Sequence, residues 1–584
     1  MFGCHGAVLK VDLSAGAAQR LLLDEGLLRR YPGGSGLGTA LLLQEGTAEV
    51  DPLSPEAVIA FVFSPLVGSP LTTSAKFAVV SRSPLTGRIN DSLASSGFAI
   101  AGKKTGVDAI LITGRCSELS VLIIENGTIR IEPAGQLRGT STSQTERLLR
   151  QHYGKEYETA VIGPAGEAGV RFATISHHGR HAGRGGSGAI FGAKNLKAIL
   201  VRGNQRTNWA DPEGLIRLSK DLSARSFGPA TAKYRELGTA TNLLTFNRLH
   251  VLPTRNFQQG SFEGADPISP EQMGQTHEKI RTSCVACTIG CEHLYQMSDG
   301  SQPVRMEYEN LFALGPMCGI SSSEAVLKSS QFCDEAGMDT ISAGGTIAFA
   351  MECAERGLID EPWLRFGDGT ALRRCLEMIV RGEGIGELLC AGSRSMALKI
   401  GGDSIAFAPQ VKGLELPGYD PRGLQMMALG FAVGTRGADH NRSGAYEVDF
   451  SSEVDRRHGM TADVPRAIET ENRAAVMDSL ILCKFIRGVL EDFWGETSEM
   501  LRLVTGWDVN AGELREIAEG IIRKKKEFNI RSGWTPAEDT LPERMLSSVL
   551  PDDPAACLPK GRLQDLILAY NRARGWTDEG WLKD

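Results

Sequence analysis

Residues 196–226 read LKAILVRGNQRTNWADPEGLIRLSKDLSARS, and the hydrophobic period changes inside them. Residues 196–203 form a short apolar run of strand length. After Asp211-Pro212 the apolar side chains Leu215, Leu218 and Leu222 recur at helical spacing. Asp211 reads as the N-cap and Pro212 as the first helical residue. Toward the N-terminus, strand-sized segments recur at residues 7–13, 58–63, 77–81, 108–114, 121–133 and 159–162. Within VLIIENGTIRI, Asn126-Gly127 is a type I′ hairpin signal. Toward the C-terminus, helices are predicted over residues 212–226, 323–337, 343–356, 372–380, 468–483, 493–505 and 511–527, with Ser322 or Ser323 as an N-cap and stops at Gly337 and Gly357. Strands first and helices afterwards give an α+β class with segregated regions. The expected division is a β-rich domain over 1–203 and two mainly helical domains over 204–413 and 414–584, the second boundary lying before LELPGYDPRG.

The 584 residues are 42% hydrophobic and 23% charged, the balance of a globular chain long enough for several domains. A net charge of −7 gives no global basic field for nucleic acid or an anionic membrane. The longest apolar runs are strand-sized, far short of a membrane span. The opening MFGCHGAVLKVDL enters a strand pattern with no basic-then-apolar leader, so a cytoplasmic location is expected.

Four of the twelve cysteines stand out. In TSCVACTIGC, Cys284, Cys287 and Cys291 place three thiols within eight residues. A zinc ion or a [4Fe–4S] cluster would take a fourth ligand from elsewhere. His293 could complete a zinc site, but three sulfurs plus a remote cysteine favour the cluster. On spacing alone Cys318, Cys333 and Cys483 compete for that fourth place. Cys4, Cys116, Cys353, Cys375 and Cys390, with Cys318 and Cys333 if unused, read as buried reduced thiols, and Cys557 has no assigned partner.

GRHAGRGGSG, residues 179–188, combines five glycines with Arg180 and Arg184. Backbone N–H groups freed by glycine and two guanidinium groups suit an anion, a phosphorylated cofactor in particular. Neither the P-loop nor the dinucleotide fingerprint is matched. Glu307, Glu309 and His440 are candidate acid–base groups in apolar surroundings. Asp334 and Asp339 flank the helix stop at Gly337, where a carboxylate opposes the helix dipole.

Taken together, SPLTGRI, AGRGGSGAIFGAKNLKAI, CVACTIGC, CDEAGMDTISAGGTIA, LELPGYDPRG, MDSLILCKF, TLPERML and YNRARGWTDEGW resemble, in order and over essentially the whole chain, the aldehyde ferredoxin oxidoreductases. The resemblance implies a β-rich base under two helical domains and a tungsten, less often molybdenum, bis-pterin held by its dithiolenes. It selects Cys483 as fourth ligand beside Cys284, Cys287 and Cys291. It also implies a magnesium ion bridging two pterin phosphates near Arg180, His181, Gly183, Arg184 and the carbonyl of Ala94. Asp334, Asp339, Asp478 and Arg442 match pterin-contacting positions, and Ser96 and Leu482 complete the cofactor-binding set. Glu309 and His440 match the residues on the substrate side, the histidine polarising a carbonyl or holding the metal-bound oxygen and the glutamate taking a proton. The implied reaction interconverts small aldehydes and carboxylic acids, with ferredoxin or a small ferredoxin-like subunit, with or without an FAD/NAD-linked subunit, as electron partner. A related ring-reducing tungsten subunit acting on benzoyl-coenzyme A is the alternative. Three positions depart from the pattern. Lys76 replaces an arginine that bridges cluster and pterin, losing the bidentate fork. Ile481 replaces a common glycine. Lys328 and Gln331 replace a Glu-x-x-His pair that binds an iron between subunits, which puts that homodimer in doubt.

Overall fold

The structure, a computed structural model, describes residues 1–583. Its N-terminal part contains two six-stranded sheets. The first is built from β1 (Ala7–Asp12), β2 (Ala17–Leu22), β3 (Ile59–Val62), β4 (Lys76–Arg82), β5 (Ile89–Ser95) and β6 (Ala109–Thr113), in the order β2-β1-β6-β3-β4-β5. The second is built from β7 (Ser120–Glu125), β8 (Thr128–Pro133), β9 (Glu158–Val161), β10 (Ile175–His177), β11 (Arg180–Ala182) and β12 (Leu196–Arg202), in the order β11-β10-β9-β12-β7-β8. Asn126 and Gly127 both adopt positive φ and close the β7–β8 hairpin at the Glu125–Thr128 pair, as the I′ turn demands.

The strands are apolar on both faces because both faces are covered. Phe61, Phe77, Val79, Ile110 and Ile112 point toward the second sheet and meet Leu122, Ile124, Ile162, Ile199 and Val201. Their sequence neighbours Ala60, Val62, Ala78, Val80 and Leu111 point the other way. There they share a core with the helices Gly34–Gln44, Val464–Leu480 and Ala511–Arg531. Alternation by two along each strand therefore assigns one set of side chains to each layer. The outer face of the second sheet, through Val121, Ile123, Ala198 and Leu200, is covered by the helix Thr142–Tyr153.

The expected strands form with small changes at their ends, and the helices fall at Pro212–Ser226, Ser323–Ala336, Thr340–Glu355, Gly369–Arg381, Val464–Leu480, Phe493–Thr505 and Ala511–Arg531. Asp211 caps its helix by accepting from the Gly214 N–H at 2.9 Å. Strand β5, sequence INDSLAS, does not announce itself: Asn90, Asp91 and Ser92 are buried polar residues that break the alternation. One dipole reading is corrected. Asp334 lies in the last turn of Ser323–Ala336, but Asp339 is the N-cap of Thr340–Glu355, its carboxylate accepting from the N–H groups of Ile341 and Ser342 at 3.3 Å. A carboxylate there is favoured by the dipole, not opposed. Cys390 is also half-buried, donating to the Glu387 carbonyl, whereas Cys4, Cys116, Cys318, Cys333, Cys353 and Cys375 are buried thiols. Among the described residues no helix is long and apolar enough to cross a membrane.

Candidate active site

A cavity of about 380 Å³ lies where the ends of β4, β5 and β11 meet the helical part. Cys284, Cys287, Cys291 and Cys483 all line it. The first three sit in the loop between the strands Lys279–Thr282 and Glu292–Tyr295. That loop is pinned to the first sheet's approach: the Thr73 N–H donates to the Ala286 carbonyl at 2.9 Å, and Thr72 and Thr288 hydroxyls meet at 2.7 Å. Cys483 arrives from the opposite side, two residues beyond the C-cap of Val464–Leu480. Burial, and then the neighbouring thiolates, push the Cys287 thiol up to about 11, and burial and Cys483 push Cys291 up as well. Four cysteine sulfurs lining one cavity are the soft donor set that an iron–sulfur cluster takes, so the residues present fit a metal cluster. At the start of β4, burial alone would lower the Lys76 ammonium, but Cys483, Cys284 and Asp478 hold it above its usual range.

The C-cap before Cys483 is Ile481, fully buried and left-handed at φ 64°, ψ 41°. A β-branched side chain is strained there. Its partner is the packing around it: Gly36 N–H donates to Ser479 Oγ at 3.0 Å and Ser64 Oγ donates to the Leu480 carbonyl at 2.6 Å, clamping the turn from the first sheet side.

Along the cavity wall stand Ala94 at the end of β5, Arg180 and His181 on β11, Gly183, Asp334, Asp339 and Glu309. Lys76 completes this subset of the predicted residues. The glycine-rich loop divides its labour. A Cβ on Gly185, Gly186 or Gly188 would lie within 2.4 Å of Asn90, Arg171 or Thr174, so these glycines permit close backbone packing. Gly183 meets nothing closer than 4.0 Å and leaves its backbone open to the cavity. Several buried polar atoms around the site have no protein hydrogen-bond partner: Ser96 Oγ, His181 Nε2, Glu309 Oε1 and His440 Nδ1. Unpartnered buried polar atoms of both kinds, acceptor and donor, fit a large polar cofactor.

Other predicted residues stand behind the wall. Arg184 pairs with Asp339 at 3.3 Å and donates to the carbonyls of Ala438 and Glu415 at 2.6 and 2.5 Å. Arg442 bridges Asp91 and Asp478 at 3.1 and 3.0 Å, and Lys484 also reaches Asp478 at 3.0 Å. Leu482 is buried beside Cys483. Sequence reasoning missed the ionic layer these residues join: Arg436 binds Asp439 at 2.8 Å and also reaches Asn90 and Ser92 at 3.0 and 2.8 Å, while Lys525 holds Asp91 at 2.8 Å. The polar content of β5 was its one sequence signal.

Behind the wall, His440 at the start of a short helical turn faces Glu309, which lines the cavity from the helix Tyr308–Leu314, Oε1 to Nε2 3.6 Å. Tyr419 stacks on the imidazole with ring centroids 4.8 Å apart. Burial raises Glu309 to about 8, opposed by the Gly418 N–H that it accepts at 3.1 Å. Burial lowers His440 to about 4, with Asp439 opposing. Near neutrality the pair is therefore a carboxylic acid facing a neutral imidazole, able to give and take a proton.

Sequence models of the aldehyde ferredoxin oxidoreductase N-terminal domain and of its domains 2 and 3 match residues 8–203 and 219–584. The chain belongs to this family. The tungsten-containing aldehyde ferredoxin oxidoreductase of Pyrococcus horikoshii is 36% identical over 99% of the chain and 97% of the relative. The aliphatic sulfonate oxidoreductase WOR-like subunit of Pyrococcus furiosus is 28% identical over 100% and 96%. Among solved structures, the BamBC active-site complex of benzoyl coenzyme A reductase, with 1,5 dienoyl-CoA, superposes with a TM-score of 0.84 over 99% of this chain and 96% of that one. At 23% identity that likeness concerns the fold. This aldehyde ferredoxin oxidoreductase family member is an oxidoreductase by its full-length kinship.

Proposed function

We propose that the protein oxidises small aldehydes to carboxylic acids at a tungsten or molybdenum bis-pterin centre. One [4Fe–4S] cluster on Cys284, Cys287, Cys291 and Cys483 would pass the electrons on singly. The observation that carries this reading is the convergence of all four sulfurs, Gly183 and Glu309 on one cavity. The reaction converts aldehyde and water into acid, two protons and two electrons. The metal–pterin group supplies the two-electron redox step and the cluster the one-electron relay. His181, Gly183 and the Ala94 carbonyl would cradle the phosphates and their magnesium, with Arg180 supplying positive charge. Asp334, Asp339, Ser96, Leu482 and the Asp478–Arg442 pair would fix the pterins.

His440, oriented by Tyr419, donates a hydrogen bond to the substrate carbonyl oxygen in its neutral tautomer. Glu309, in its ionised fraction, takes the proton of the attacking water at Oε. Lys76, on the cavity wall near Cys483 and Cys284, would offer its ammonium to the cluster sulfurs and to the cofactor. Ferredoxin or a small ferredoxin-like subunit would accept electrons at the exposed Lys279–Thr282 strand beside the cluster loop, with or without a flavin subunit behind it. At the positions of the family's bridging iron, Lys328 pairs with Glu324 at 3.0 Å and Gln331 offers no anionic ligand, so an iron-bridged dimer is not part of this reading.

Anaerobically purified protein should contain about four irons and one tungsten or molybdenum per chain. It should also reduce a viologen dye with acetaldehyde or benzaldehyde. Zinc in place of iron would sink the cluster. A full metal content without aldehyde oxidation, but with reduction of benzoyl-coenzyme A, would transfer the chain to the ring-reducing alternative.

A further inference from the structure

The turn between β10 and β11 carries a second group of metal-ligating side chains, outside the cavity. Glu158 on β9, His177 on β10 and His178 in the turn bring one ligand atom each to within 4.8 Å of one another. Glu158 Oε2 lies 3.2 Å from His177 Nε2 and 3.6 Å from His178 Nε2. Around a tetrahedral zinc-type ion with bonds of ~2.0–2.1 Å, neighbouring ligand atoms stand about 3.3 Å apart. The two carboxylate–imidazole spacings are close to that value, and two of the three ligand atoms lack a hydrogen-bond partner. His177 is fully buried, yet its Nε2 has no hydrogen-bond partner, and neither does Glu158 Oε2.

The surroundings orient the ligands. His177 Nδ1 meets the Thr159 carbonyl, which takes its proton and leaves the Nε2 lone pair facing Glu158. His178 adopts φ 47° beside Gly179 at φ 64°. That is the geometry of a two-residue I′ turn between the paired His177 and Arg180, where asparagine-glycine is the usual choice. Its N–H is held by Glu146 Oε2 at 3.0 Å, so the turn presents the imidazole to Glu158. The charges facing the group are the carboxylates of Glu146 and Glu158 and one guanidinium, that of Arg150, which touches His178 Nε2. Arg150 is an exposed side chain that can only donate, and it sits where a cation would.

We propose that Glu158, His177 and His178 form a binding site for a divalent transition cation of the zinc class, with Arg150 as the displaceable cation and water in the fourth position. Its ligands bridge β9 to the β10–β11 hairpin. The second strand of that hairpin puts Arg180 and His181 on the cavity wall, so a bound ion stiffens the support of the active site.

The test is zinc binding to the intact holoenzyme, read by zinc K-edge X-ray absorption, a signal distinct from those of iron and tungsten. The expected result is one ion with two imidazoles and oxygen in its first shell, no sulfur, and a raised Tm. Glu158→Gln, which is isosteric, and His178→Ala, at a half-exposed position, should each weaken binding about tenfold or more, while Arg150→Met should tighten it. A sulfur shell, an absence of saturable binding, or affinities unchanged in both ligand variants would each overturn the proposal.

Discussion

The two parts of the candidate site are built on opposite plans. At the four-cysteine end, three of the sulfurs come from eight consecutive residues in a loop whose supporting strand, Lys279–Thr282, is exposed throughout, and Val285 between two of the cysteines is 41% exposed. At the Glu309–His440 end, residues 131 positions apart are brought together by helices that share no local motif, His440 buried and Glu309 half-buried. On the proposed function the first end needs access, because its electrons would leave to an external carrier. The second needs exclusion of water, because only a dry environment lifts a glutamate to about 8 and drops a histidine to about 4. Spacing creates the one site, and desolvation the other.

The largest expected effect separates the two ends. Cys483→Ala should remove the cluster's visible absorption and abolish dye-coupled turnover, leaving the Glu309–His440 pair in place; retention of the full iron signal would show that another thiol is the fourth ligand. Glu309→Gln should do the reverse, lowering kcat by about 10²–10⁴-fold with iron content unchanged. In the wild-type protein the rate should climb with pH as Glu309 ionises through about 8, and that limb should vanish in Glu309→Gln. The same ionisation affects stability. A carboxyl raised in the folded state stabilises fully below its unfolded value near 4.5 and loses that contribution as pH rises through about 8. Asp334, raised by burial to about 7, acts in the same direction.

A smaller effect probes the joint between the ends. Ile481→Gly relieves a left-handed β-branched residue, worth about 1–3 kcal/mol, but deletes a fully buried side chain, worth about 2–5 kcal/mol. Burial wins, and Tm should fall modestly while iron content is kept. A rise in Tm would mean that strain at the cluster's doorstep dominates.

Much of this was legible in the sequence. The hairpin at Asn126-Gly127, the helix start at Asp211-Pro212 and the cysteine trio are local, and local steric or spacing rules suffice for them. Strand β5 was not legible, because its Asn90, Asp91 and Ser92 are buried against Arg436, Arg442 and Lys525 from far along the chain, and a polar strand without its partners reads as a loop. Asp339 was placed on the wrong side of a dipole because two helices abut after Gly337, and no pattern of apolar residues shows where the second begins.

The sequence by itself therefore determined the strand-then-helix order, the hairpin, the caps at Asp211 and Ser322 and the three-cysteine grip, since each depends on neighbours in the chain. Only the tertiary structure decided that Cys483 faces that grip, that Gly183 opens to the cavity while Gly185 and Gly186 serve packing, and that Glu309 meets a neutral His440. Those properties depend on which distant surfaces exclude water and which backbones touch, and no spacing along a chain encodes either.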